Sequence, residues 1–147
     1  RGIDWVVWDN KEYSLPFVGE EGCWDHPNVK KYKELADSAD AFVLSSPEYH
    51  GTMSGVMKNS LDWLSFDQTS GKVFGFISTL GGQPNTTTLN HMRTVVRWIH
   101  GFSIPEQLVI AKVKTAFDDD GNLVDEDIKK RVDKFIDSII TNTEKLR

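Results

Sequence analysis

Ala41-Phe42-Val43-Leu44-Ser45-Ser46-Pro47-Glu48-Tyr49-His50-Gly51, running on into Gly55-Val56-Met57-Lys58-Asn59-Ser60-Leu61-Asp62, is the stretch that decides how this chain folds. Its first four residues form a continuous apolar run, the pattern of a strand buried on both faces of a sheet. Met57, Leu61 and Leu64 then recur at helical spacing, so a helix is expected to begin near Ser54. Strand, polar loop and helix follow one another, the alternation from which a parallel sheet is wound.

The same alternation extends in both directions. Ile3-Asp4-Trp5-Val6-Val7-Trp8 is β-branched and aromatic and reads as a strand. A Pro- and Gly-rich loop from Leu15 to Pro27 leads to a helix, with Pro27 suited to its first turn and Val29, Tyr32, Leu35 and Ala36 on its apolar stripe up to Ser38. Lys72 to Ile77 is a third strand, ending in the loop Ser78-Thr79-Leu80-Gly81-Gly82-Gln83. Leu89, Met92, Val96 and Ile99 mark a helix closed by Gly101 at its C-cap, with His100 a capping cation. Gln107 to Ala111 is a fourth strand and Asp119 to Asn122 a turn. Ile128, Val132, Phe135, Ile136, Ile139 and Ile140 give a final amphipathic helix with Asp125 as N-cap. Four strands alternating with four helices imply right-handed crossovers and a single α/β domain over residues 1–147, doubly wound, with helices on both faces of a parallel sheet.

Composition narrows the function. A net charge of −5 supplies no basic surface, so nucleic acid is not an expected partner. No apolar run approaches the roughly 20 residues that cross a bilayer, so no membrane role is expected. Cys23 is the only cysteine, which rules out an internal disulfide and points to a reducing, cytoplasmic setting. His26, His91 and His100 lack metal-ligand spacing, and neither G-x-S-x-G, a phosphate loop nor G-x-G-x-x-G is present.

In an open α/β sheet, ligands sit beyond the carboxyl ends of the strands. That places the candidate site at two loops, Ser45–Ser54 and Ser78–Asn85. Pro47 stiffens the first, Gly51 and Gly55 allow close approach of backbone, and the helix beginning near Ser54 offers N–H groups to an electron-rich partner. Tyr49 has a flat apolar face with a polar tip. The second loop adds Gly81-Gly82. Together these suit a planar, polar-edged cofactor. Glu48 and His50 could form an acid–base pair, but no nucleophile motif accompanies them.

These residues carry a resemblance. Pro47-Glu48-Tyr49-His50-Gly51-Thr52 and Gly55 through Leu64 resemble the P-E-Y-[NH]-G-[ST] and G-x-[LM]-K-N-[AS]-[LI]-D-[WL]-[LI] segments of the NADPH-dependent FMN reductase family, whose relatives reduce quinones, azo compounds and chromate. The resemblance implies a flavodoxin-like three-layer fold and a non-covalent FMN. The ring would be lined by Pro47, Glu48, Tyr49, His50 and Gly51 and by Ser78, Thr79, Gly81 and Gly82. It implies NAD(P)H as electron donor and a quinone, free flavin or similar small molecule as acceptor, with no side chain acting as acid or base. It further implies a homodimer or homotetramer, with Lys58 and Asp62 paired along a helix and Asn59 a cap or an interface residue. An electron carrier or interaction domain without NAD(P)H activity is the alternative.

One departure accompanies the match. Family members begin with a strand and a G-S-x-R-x-x-S loop that holds the FMN phosphate, whereas Gly2 to Trp8 here resembles the family's second strand. The expectation is a chain truncated at its N-terminus, with its first two strands roughly 9–10 Å apart, two strand spacings.

Overall fold

A computed structural model describes residues 2–147. The longest apolar runs form the sheet: β1 (Ala41–Tyr49), β3 (Val73–Thr79) and β4 (Phe102–Ile110). These three are parallel, β1 beside β3 beside β4, and a two-residue strand β2 (Thr52–Met53) folds back antiparallel on the end of β1. The helices are α1 (Pro27–Ser38), α2 (Gly55–Asp62), the single turn α3 (Phe66–Thr69), α4 (Thr87–Trp98) and α5 (Glu126–Leu146).

Side chains alternate across the strands, and each face has its own core. Phe42, Leu44, Phe74 and Phe76 meet Ala36 of α1, Leu61 of α2 and Leu89, Met92 and Val96 of α4. Phe42 and Phe74 stack at 4.6 Å. On the other face Val73, Ile104 and Leu108 pack on Val132, Phe135, Ile136 and Ile139 of α5. α5 approaches so closely that a Cβ on Gly75 would lie 2.5 Å from Phe135 Cζ and 2.8 Å from Ile139 Cδ1. The expected α/β class and three-layer architecture are therefore present.

Several boundaries differ from the sequence reading. Ile3–Trp8 is not a strand: its backbone has no ladder partner among the described residues, and Trp5 is 79% exposed. β-branched composition favours a pleated, half-buried surface, and with no neighbour there is none to lie on. β1 runs on through Ser45 to Tyr49, and Ser78 and Thr79 belong to β3, because the ladder pairs Ser46 with Ser78 and Pro47 with Thr79. The fourth strand starts at Phe102, ahead of the expected Gln107. At the end of α4 it is His100, with φ 62°, that takes the left-handed conformation. Gly101 instead leaves room for Phe74 and Val96, whose side chains would stand 2.5–2.8 Å from a Cβ. His100 stacks on Phe66, the rings 4.2 Å apart and nearly parallel.

Candidate functional site

The turn after β1 is built by two residues with positive φ, His50 at 52° and Gly51 at 79°. Positive φ at both central residues is what a tight hairpin turn of the primed type demands. Glycine meets that demand freely, and histidine is among the side chains that tolerate it. His50 thus serves the turn, and its ring is exposed.

Beneath the turn lies a buried serine pair. Ser46 is 1% exposed; its hydroxyl accepts from Ser54 N–H at 3.0 Å and donates to Pro47 C=O at 2.9 Å. Ser54 in turn caps α2, its Oγ accepting from Met57 N–H at 3.1 Å. Strand end, turn and helix start are therefore one hydrogen-bonded unit. The first-turn N–H groups of Gly55 and Val56 have no acceptor within the helix and carry its positive dipole end.

Glu48 reaches the other loop. Its carboxylate accepts from Thr88 Oγ1 at 2.9 Å and from Asn85 Nδ2, and the opposite side of the Asn85 amide accepts from Thr87 N–H at 3.0 Å. His91 Nδ1 and Thr52 Oγ1 lie 2.8 Å apart. The turn after β1 and the start of α4 are thereby brought together, as the two-loop reading required. Glu48 is not an acid–base partner of His50, since both its oxygens are committed to the α4 side.

On the far side of β1 is a depression of about 370 Å³ lined by Val7, Trp8, Asp9, Asn10, Ser45, Pro47, Tyr49, Ser54, Val56 and Met57. Trp8 is fixed there by its Nε1–H donating to Asn10 Oδ1 at 3.1 Å, and by rings of Tyr13 and Tyr32 about 5 Å away. Burial pushes the Tyr32 phenol well above its ordinary value, so it stays neutral beneath Trp8. Tyr49 is 61% exposed and free to present its face.

Of the expected site residues, Pro47 and Tyr49 line this depression, while Ser78, Thr79, Gly81 and Gly82 do not. Gly81 and Gly82 are exposed with open space about them. Ser78 is wholly buried, and its hydroxyl has no hydrogen-bond partner among the described residues. Asn59 ties α2 to the loop before α1, its amide donating to the carbonyls of Leu15 and Pro16 at 3.0 and 3.2 Å. Lys58 and Asp62 are paired at 2.5 Å, as their spacing requires.

Trp8, Asp9 and Asn10 were not anticipated, because a run read as strand gives no reason to look past its end for a wall. Asn85 and Thr88 did leave a trace, since Asn85-Thr86-Thr87-Thr88 precedes the apolar Leu89 as helix-starting residues do.

The sequence profile described as NADPH-dependent FMN reductase matches residues 1–115. The chain belongs to the NADPH-dependent FMN reductase family. The FMN-dependent NADPH-azoreductase of Staphylococcus aureus is 36% identical over 116 residues, which are 78% of this chain and 62% of that protein. The chain thus spans less than two thirds of that relative's length. Among solved structures, the flavoenzyme NAD(P)H:(acceptor) oxidoreductase from Paracoccus denitrificans superposes with TM-score 0.71 at 23% identity, over 90% of this chain and 76% of that one. An oxidoreductase from Corynebacterium diphtheriae gives 0.68 at 15%, over 82% of this chain and 64% of that one. At such identities these two structures fix the fold.

FMN, the family's cofactor, has two chemically distinct ends. The depression's walls of Trp8, Pro47, Val56, Met57 and Tyr49, edged by Asn10 and Ser45, match a flat ring with polar margins. The phosphate end is not matched among the described residues, none of whose Lys or Arg side chains lines the depression, while Asp9 adds a carboxylate. The residues fit the ring and not the dianion.

Proposed function

We propose that this chain forms the ring-binding part of an FMN-dependent NAD(P)H oxidoreductase that passes electrons from NAD(P)H to a small-molecule acceptor such as a quinone, free flavin or azo compound. The observation that carries the reading is the depression beside β1, where an aromatic wall, a proline-stiffened strand end and the α2 N-terminus converge in a member of this family. Pro47, Glu48, Tyr49, His50 and Gly51, with Thr79, Gly81 and Gly82, remain the proposed cofactor-binding set, while Ser78 is wholly buried within β3. Within it, Pro47 and Tyr49 touch the ring, His50 and Gly51 shape the turn and Glu48 holds the second loop.

When bound, FMN supplies the two-electron chemistry. The protein's part is to hold, orient and polarise. Trp8 and Tyr49 provide faces for stacking, and Pro47 keeps the strand end from closing on the slot. The N–H groups of Gly55 and Val56, at the positive end of the α2 dipole, favour negative charge developing nearby. No side chain needs to shuttle a proton, so no acid or base is assigned. The reading extends to a cytoplasmic homodimer or homotetramer of single-domain subunits, resting on the family resemblance and the lone Cys23. No helix among the described residues is long and apolar enough to cross a membrane.

Titrating the purified chain with FMN, then adding NADPH to the complex without oxygen, tests the proposal. Quenching of flavin fluorescence followed by loss of the visible flavin band is the expected result. A bound flavin that NADPH leaves oxidised means an electron carrier, and no quenching at all means an interaction domain. Light scattering after size exclusion reads the assembly.

A further inference from the structure

We propose that Asn10 reads the edge of the bound ring, its side-chain amide meeting an N–H and the carbonyl beside it, which is the imide edge of a flavin. This deepens the functional reading above and rests on it.

Asn10 lines the depression where that reading places the ring, together with Trp8, Ser45 and Pro47. Its amide is held in one orientation by a chain of three hydrogen bonds. Trp8 Nε1–H donates to Asn10 Oδ1 at 3.1 Å, Asn10 Nδ2 donates to Ser60 Oγ at 3.3 Å, and the Ser60 hydroxyl donates to Val56 C=O at 2.8 Å, one turn back on α2. Each link dictates the next. An indole N–H only donates, so Asn10 must turn its oxygen to Trp8. Ser60 is 3% exposed and directs its one proton at the carbonyls of Val56 and Met57, so its oxygen is left to accept from Asn10. Turning the amide over would set two donors against each other at Trp8. The bond that orients the amide also fixes the rotation of the indole, so the stacking face and the polar edge share one anchor on α2.

What the chain leaves over decides what Asn10 recognises. A primary amide has two N–H donors and an oxygen with two lone pairs. Trp8 and Ser60 engage one of each, and the second donor and second lone pair have no partner among the described residues. A free donor and a free acceptor on one amide complement a ring margin that offers an acceptor next to a donor, as side-chain amides do when they read adenine. The flavin ring has such a margin at its imide end, an N–H flanked by carbonyls, and none at its methyl-bearing end.

Affinities for FMN and for its N3-methyl analogue, in which a methyl group replaces the imide hydrogen, separate edge reading from mere support of the wall. Both are measured by fluorescence quenching on the parent, Asn10→Leu and Asn10→Asp. Leucine nearly matches asparagine in shape and carries no polar atom. Aspartate keeps an oxygen for Trp8 and for the imide proton but loses the donor, and Ser60 can turn its proton to the new carboxylate. A residue that only packs the wall changes both affinities by the same factor.

The parent is expected to bind FMN roughly tenfold more tightly than the analogue, the worth of one hydrogen bond. Asn10→Leu is expected to weaken FMN and bring the two affinities together. Asn10→Asp is expected to keep the preference for the imide N–H while binding both flavins more weakly. A preference unchanged in Asn10→Leu overturns the assignment, and so does a parent that does not discriminate. If that unchanged preference comes with a raised KM for NADPH, the amide meets the nicotinamide carboxamide instead. A parent that binds neither flavin removes the functional reading itself, and the assignment of Asn10 falls with it.

Discussion

Replacing Ser46 by Ala removes one oxygen from beneath the candidate site. In the native chain that oxygen accepts from Ser54 N–H and donates to Pro47 C=O, in a place 1% exposed. Alanine fits without a clash, so the effect comes from lost partners. Ser54, 7% exposed, is left with an unpaired N–H, which costs about 1–3 kcal/mol when water cannot replace the acceptor. The bond to Pro47 adds about 1 kcal/mol at most, because that carbonyl sits at the strand end and relaxes readily. The sum is about 1–4 kcal/mol. Urea denaturation followed by tryptophan fluorescence should show a lower midpoint with an unchanged slope. Ser45→Ala, one residue away on the exposed side, should move the midpoint little. A loss below about 0.5 kcal/mol for Ser46→Ala would mean that the serine pair does not hold the turn, and the site's rigidity would need another source.

Other substitutions probe different layers. Gly75→Ala should destabilise by about 1–2 kcal/mol: overpacking against Phe135 and Ile139 costs about 1–3, and the stiffer unfolded chain offsets less than 1. Restored stability in Gly75→Ala with Phe135→Leu, read by urea midpoint, would confirm the contact. Tyr49→Ser should leave the denaturation midpoint within about 0.5 kcal/mol, since the ring is mostly exposed, while weakening FMN severalfold by fluorescence titration. The Ser138 hydroxyl donates to Glu106 and, first among several causes, holds its carboxyl below the ordinary 4.5. A depressed carboxylate contributes stability that is present above pH 4.5 and lost as pH falls through the folded-state value. The stability difference between the parent and Glu106→Gln should therefore shrink on acidification below pH 4.5, by urea midpoints across that range.

The parts legible in the sequence are those where a single local pattern had no competitor. Ala41–Leu44 is apolar throughout and opens β1 as its composition announced, although Val43 is 52% exposed and the run is not buried on both faces. Asp125 before the Ile-rich stripe of α5 marked a helix start, and the Asp125 carboxylate does accept from Asp127 and Ile128 N–H. Elsewhere tertiary context decided. Ser45-Ser46-Pro47-Glu48 lacks strand composition, yet the ladder to β3 carries β1 through it. Only Gln107–Ala111 read as a strand, whereas β4 begins at Phe102 and includes Pro105, which is tolerated because β4 lies at the end of the sheet and its register shifts opposite Gly75. Ile3–Trp8 shows the converse, strand composition without a neighbour to pair with. The turn could be placed from His50-Gly51, whereas the link from Glu48 to Asn85 spans 37 positions and no periodicity reports it.

The two walls of the candidate site differ in how firmly the chain holds them, and that difference bears on affinity. The β1 side is determined several times over: the parallel ladder fixes Pro47, the turn's positive φ values fix its path, Ser46 pins Ser54, and Glu48 ties the turn to α4. A ligand meeting that wall finds it already ordered and bears little of the entropic cost of shaping a site. The opposite wall, Val7 to Asn10, is joined by the Trp8–Asn10 bond, a 3.3 Å contact from Asn10 to Ser60 and the tilted ring contacts of Trp8 with Tyr13 and Tyr32. Residues 2–6 are exposed and have no ladder partner among the described residues, so ordering this side falls to the ligand. Binding strength in this chain should therefore respond more to changes at Trp8 and Asn10 than to conservative changes on the β1 wall.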